Sequence, residues 1–99
     1  LSEQNSKENI LPDDFRILTY PNPFNSSVRI KFNIFQKGNI NIDVFDVQGR
    51  FVNKITEKIF EKGNFEILWE VDKQINSGVY FVRASYEDKT KTQKILYLK

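Results

Sequence analysis

Val28-Arg29-Ile30-Lys31-Phe32-Asn33-Ile34 alternates apolar and polar residues without a break over seven positions. Side chains of an extended strand point to opposite faces in turn, so this spacing places the four apolar residues on one face and the three solvated ones on the other. The pattern repeats downstream. Ile40, Ile42 and Val44 alternate with Asn41 and Asp43 after a turn at Lys37-Gly38-Asn39, and Phe65, Ile67, Trp69 and Val71 alternate with Glu66 and Glu70 after Lys62-Gly63-Asn64. A further strand runs from Val79 to Tyr86, between Asn76-Ser77-Gly78 and Glu87-Asp88-Lys89, and the last from about Lys91 to Leu98. Short strands at this spacing, separated by Gly, Asn and Asp turns, predict an all-β sandwich or barrel. One stretch resists. After a turn at Gln48-Gly49, Val52, Ile55, Ile59 and Phe60 also fit a helical stripe, with Lys54, Glu57, Lys58 and Glu61 as exposed charge pairs. The bounding glycines at 49 and 63 and the β context favour strand, loop and strand.

Composition narrows the function classes. The chain has 99 residues, 15 Lys and Arg against 13 Asp and Glu, a formal charge of +2, and neither Cys nor His. One domain is the expectation for this length. Without Cys there is no disulfide or thiolate chemistry, and without His there is no imidazole triad or imidazole metal site. Enzymatic activity is not expected. Residues 1–14 are polar and lack the apolar run of a signal peptide, and no stretch approaches the roughly 20 apolar residues of a spanning helix, so no stable membrane insertion is expected. Composition shifts near Phe15, and all 14 aromatic residues lie from Phe15 onward. Residues 1–14 therefore read as a linker and 15–99 as the folded domain.

The remaining candidates for chemistry have structural readings. Asp43, Asp46, Glu66 and Glu70 could do acid and base work, but they read as solvent-facing strand residues and a turn-capping aspartate. Asp13, Asp14 and Asp46 lack the dense acidic spacing of a calcium loop. Lys89, Lys91, Lys94 and Lys99 crowd the last eleven residues. A net charge of +2 with Asp and Glu interleaved along the chain is a poor footprint for nucleic acid, and lysines on a terminal strand commonly guard its edge. Trp69 is expected in the core, and Tyr80 as a corner tyrosine whose hydroxyl bonds main chain.

One segment is more specific. Leu11-Pro12 and Phe15 lead into Tyr20-Pro21-Asn22-Pro23-Phe24-Asn25, whose two prolines fix an extended path that no strand interior tolerates. Val44-Phe45-Asp46-Val47-Gln48-Gly49-Arg50 with Val52, then Gly63 through Trp69-Glu70, Ser77-Gly78-Val79-Tyr80-Phe81, and Lys94-Ile95-Leu96-Tyr97-Leu98-Lys99 follow in order. This succession resembles the type A C-terminal sorting domains of the bacterial type IX secretion system. It departs from them at Glu70, where Asp is usual, and at Ser26 and Thr19.

The resemblance implies an immunoglobulin-like antiparallel β-sandwich of about seven strands at the end of a secreted cargo. It implies recognition by type IX translocon and shuttle components, passage to the outer-membrane surface or the medium after periplasmic transit, and cleavage near residues 1–14 by a sortase-like protease. Cofactors are not implied. It marks Lys94, Ile95, Leu96, Tyr97, Leu98 and Lys99 as the docking strand, whose unpaired edge would offer main-chain groups for strand addition. Pro21, Asn22, Pro23, Phe24, Asp46, Gly49, Arg50, Gly63, Trp69, Gly78, Val79 and Tyr80 form its structural signature. Two other readings remain open: a structural stalk or hook-cap-like assembly module, and a carbohydrate-binding module using Trp69 or Tyr86 as a sugar platform.

Overall fold

The alternation at 28–34 becomes a strand whose Val28, Ile30, Phe32 and Ile34 are all buried, with Arg29 and Lys31 exposed. The computed structural model describes residues 14–99, and the expectations for residues 1–13 lie outside the described residues. Seven strands follow in order: β1 Ile17–Tyr20, β2 Ser27–Ile34, β3 Gly38–Asp46, β4 Phe51–Phe60, β5 Gly63–Glu70, β6 Gly78–Tyr86 and β7 Lys89–Tyr97. They form two antiparallel sheets, ordered β1-β2-β5 and β4-β3-β6-β7, and there is no helix among the described residues. The sheets face each other as a sandwich. Val28, Ile30 and Phe32 from one inner face meet Ile40, Ile42, Val44, Val82, Ala84 and Ile95 from the other. The all-β, seven-stranded sandwich expected from the sequence is the observed architecture.

The seven strands are not the seven anticipated. β1 was unforeseen because its alternation is inverted: Thr19 is buried, whereas Leu18 and Tyr20 face solvent. In place of the strand, loop and strand favoured for the stretch after Gly49, one ten-residue strand runs without interruption. Its helical look has a physical cause. β3 pairs Ile42 with Thr56 but Asp43 with Lys54, and Val44 with Asn53 but Phe45 with Phe51, so Ile55 and Val52 are extra residues in two β-bulges. A bulge puts two residues opposite one and shifts the phase of the alternation. Val52 and Ile55, three apart, therefore both lean on the core.

Connections between the sheets are held by side chains. Tyr86 is almost fully buried, and its hydroxyl donates to the Gln36 carbonyl while accepting from the Gln36 N–H, fixing the crossover between β2 and β3. Phe15 and Phe35 pack on the Tyr86 ring with centroids 5.3 and 5.0 Å away. At the opposite end of the sandwich lies the aromatic group that positions the terminal strand.

Candidate docking face

The last four residues of β7 alternate between two environments. Ile95 and Tyr97 point inward and are buried, whereas Lys94 and Leu96 point outward. Phe24 stacks on Tyr97 at 5.2 Å and tilts against Trp69 at 6.2 Å, so the Pro-Asn-Pro-Phe segment, β5 and β7 meet in one buried aromatic group. Such pairs add roughly 0.5–1.5 kcal/mol beyond the area they bury. Trp69 and Tyr86, being 4% and 1% exposed, offer no sugar platform.

The edge of β7 is not unpaired along the segment expected to dock. Phe24 donates from its N–H to the Leu96 carbonyl at 3.0 Å and accepts from the Leu98 N–H at 2.8 Å, as an isolated parallel bridge. Asn22 completes the cover: its amide donates to the Lys94 carbonyl and accepts from the Leu96 N–H, both at 3.0 Å. Pro21 and Pro23 flank this clamp with both X-Pro bonds cis. Their lack of N–H donors costs nothing in a segment that pairs through Asn22 and Phe24 alone. Strand addition along Lys94–Leu98 thus meets an edge already hydrogen-bonded within the chain. Among the described residues, no strand or loop main chain pairs with the edge earlier in β7, from Lys89 to Gln93.

The other signature residues build turns. Asp46 ends β3 and accepts on one carboxylate oxygen from the N–H groups of Gln48 and Arg50, each at 2.9 Å, while Arg50 Nε donates to the other oxygen at 2.9 Å. Gly49 completes the turn at φ +81°, a backbone that side chains other than glycine rarely adopt. Gly63 starts β5, and Gly78 starts β6 at φ +154°. Next to it, the Tyr80 hydroxyl donates to the Asn76 carbonyl at 2.6 Å, tying the β5–β6 crossover to the sheet. Burial, and secondarily the Asp46 charge, push the Tyr80 hydroxyl pKa up.

Of the four candidate carboxylates, Asp43, Asp46 and Glu66 are occupied by structure, and Glu70 is exposed at the end of β5. The Arg50 main-chain N–H holds the Asp46 pKa below its ordinary value, with help from the Arg50 side chain. Glu66 is likewise lowered, first by Arg29 and then by the Tyr20 hydroxyl, which donate to it at 2.6 and 2.9 Å. Asp43 accepts from Lys54 at 3.0 Å, and Asp14 accepts from Arg16 at 3.1 Å. Asp13 lies outside the described residues. Among the described residues no three acids gather as a cation site.

The outward half of the same motifs forms a surface. Register places Phe51, Phe45, Phe81 and Lys94 in one row across β4, β3, β6 and β7. Val79 and Leu96 stand opposite each other one step on. Phe51 is 58% exposed, and Phe45, Phe81, Val79 and Leu96 are half-buried by one another. The Arg83 guanidinium lies 4.4 Å from the Phe45 ring centroid, within cation–π range. Sequence reading missed Phe45, Phe51 and Phe81 as surface residues. The signal was present in the alternation, because Val44 and Val82 point inward and so turn Phe45 and Phe81 outward.

Comparison with known families matches residues 18–98 to the model described as the secretion system C-terminal sorting domain. No curated protein matches the chain. The family match spans every strand but the first residue of β1, and the chain belongs to that family.

Proposed function

With membership in this sorting family as the premise, we propose that the chain is a non-catalytic signal that carries an upstream cargo through the outer-membrane translocon. A member of this family serves type IX export and engages that machinery, with the outer-membrane surface or the extracellular space as destination. The finer reading is that shuttle and translocon components bind the folded domain after periplasmic transit. A sortase-like protease then cuts near residues 1–14, leaving the cargo anchored or released. The observation that carries this reading is the family match across residues 18–98.

Within that reading Lys94–Lys99 is the docking strand, but its residues contribute unequally. Ile95 and Tyr97 are buried and hold the fold, which leaves Lys94, Leu96, Leu98 and Lys99 to meet a partner. Deleting the whole segment would remove core residues and confuse folding with docking.

The test is a reporter carrying its own inner-membrane export signal, fused ahead of residue 1 and expressed in a type IX host. The fusion is expected at the cell surface or in the medium, and the reporter alone in the periplasm. Equal release of both would overturn the sorting role. Lys94→Ala with Lys99→Ala, at an unchanged melting temperature, is expected to lower surface delivery. Undiminished delivery would remove the terminal lysines from the docking strand.

A further inference from the structure

We propose that the outward face of the four-stranded sheet, centred on Phe45, Phe51, Phe81 and Leu96 and flanked by Arg83 and Lys94, is a docking surface for an acidic, apolar protein partner. It rests on the sorting role, for which it names the recognition surface. Three phenylalanines contributed by three adjacent strands lie in one row, and none of them has a place in the core cluster. Aromatic and arginine side chains are the groups that most often anchor protein interfaces. Arg83 is already laid on the Phe45 ring, so little side-chain freedom remains to be lost on docking.

Charge defines the partner. The acids bordering the patch are engaged within the chain: Asp43 and Glu57 with Lys54, and Asp46 with Arg50. Among the described residues Arg83 and Lys94 form no ion pair. Covering them with a neutral surface would strip two cations of water without compensation, whereas carboxylates opposite them restore the balance. An anionic lipid surface fits less well. Such membranes are held by clusters of roughly four to eight basic residues, and of the four cations here Lys54 and Arg50 are engaged by Asp43, Glu57 and Asp46, which leaves two. The outer face of β1-β2-β5 lacks this imbalance, because Arg29 and Tyr20 both bond Glu66 there.

The experiment uses the full 99-residue chain fused to the reporter, with Arg83→Glu/Lys94→Glu and Phe51→Ser on the proposed face and Leu18→Ser on the opposite sheet as control. With melting temperatures of the purified proteins unchanged, the charge reversal is expected to lower surface delivery at least tenfold. Phe51→Ser should lower it severalfold and Leu18→Ser less than twofold. Delivery of the charge reversal within twofold of the parent would overturn the surface, as would an equal loss in Leu18→Ser. Two rival occupants are read in the same set. A dimer seen by sedimentation and abolished by Phe51→Ser would replace the acidic partner with a second copy. Retention on phosphatidylglycerol vesicles abolished by the charge reversal would replace it with a lipid surface. If the parent fusion itself stays in the periplasm, the sorting role fails and the proposal falls with it, an outcome distinct from the failure of the variants alone.

Discussion

The two faces of the four-stranded sheet are written by the same three motifs. Inward stand Val44, Tyr80, Val82, Ile95 and Tyr97, all buried, and outward stand Phe45, Val79, Phe81 and Leu96, left half-covered. A strand cannot place neighbours on one side, so every motif residue that folds the domain turns its neighbour toward solvent. A family signature read as a string of letters therefore mixes two kinds of residue. One kind is fixed by packing density; the other is available to a partner. The difference predicts that substitutions inside move the melting temperature, whereas substitutions outside move delivery.

The largest effect that would break this division comes from the inward face. Ile95 is fully buried between β6 and the core, so Ile95→Ala is expected to cost about 2–5 kcal/mol of stability by lost transfer energy and an unfilled cavity. Chemical denaturation measures it. A loss near zero would mean that β7 packs loosely and that its inward residues are as available as its outward ones.

Tyr80→Phe gives a smaller, sharper test on the same face. It keeps the ring in the core and deletes only the hydroxyl that donates to Asn76. One buried hydrogen bond contributes about 0.5–1.5 kcal/mol net. The free energy of unfolding should fall by that amount, and an unchanged value would remove the tie between the β5–β6 crossover and the sheet.

How much of this was legible beforehand follows from what periodicity can carry. The inward sets of β2, β3 and β5 were readable because each is a regular strand with apolar residues at every second position, whereas the unbroken apolar run Val79-Tyr80-Phe81-Val82 marks β6 as a strand without marking its faces. β1 was hidden because Thr19 points inward between exposed Leu18 and Tyr20. Its assignment depends on the register with β2, which no local pattern contains. In β4, Val52 and Ile55 read as helix because two bulges break the period of two, and a bulge is visible only against its partner strand. The clamp was half legible. Two prolines around Asn22 excluded a strand interior, yet the contact of Asn22 and Phe24 with Lys94, Leu96 and Leu98 joins residues more than 70 positions apart. The unpaired edge expected of the docking strand is for that reason covered along Lys94–Leu98.

The smallest expected effect concerns the outer face of the three-stranded sheet, where Glu66 accepts from Arg29 and Tyr20. If that face is closed on itself, its charges act on folding rather than on a partner, and the sign of the pH dependence is fixed. The hydrogen bond from Arg29, followed by that from Tyr20, lowers the Glu66 pKa in the folded chain below its unfolded value. A depressed carboxylate contributes stability at pH above the unfolded value and loses it as pH falls through the folded one. Glu66→Gln should therefore melt below the parent at pH 7, and the gap between the two should close as the pH drops through the carboxylate range. Exposure and salt screening keep the gap small. A gap independent of pH would mean that the Glu66 charge contributes nothing to folding. The outer face of β1-β2-β5 would then be as open to partners as that of the four-stranded sheet.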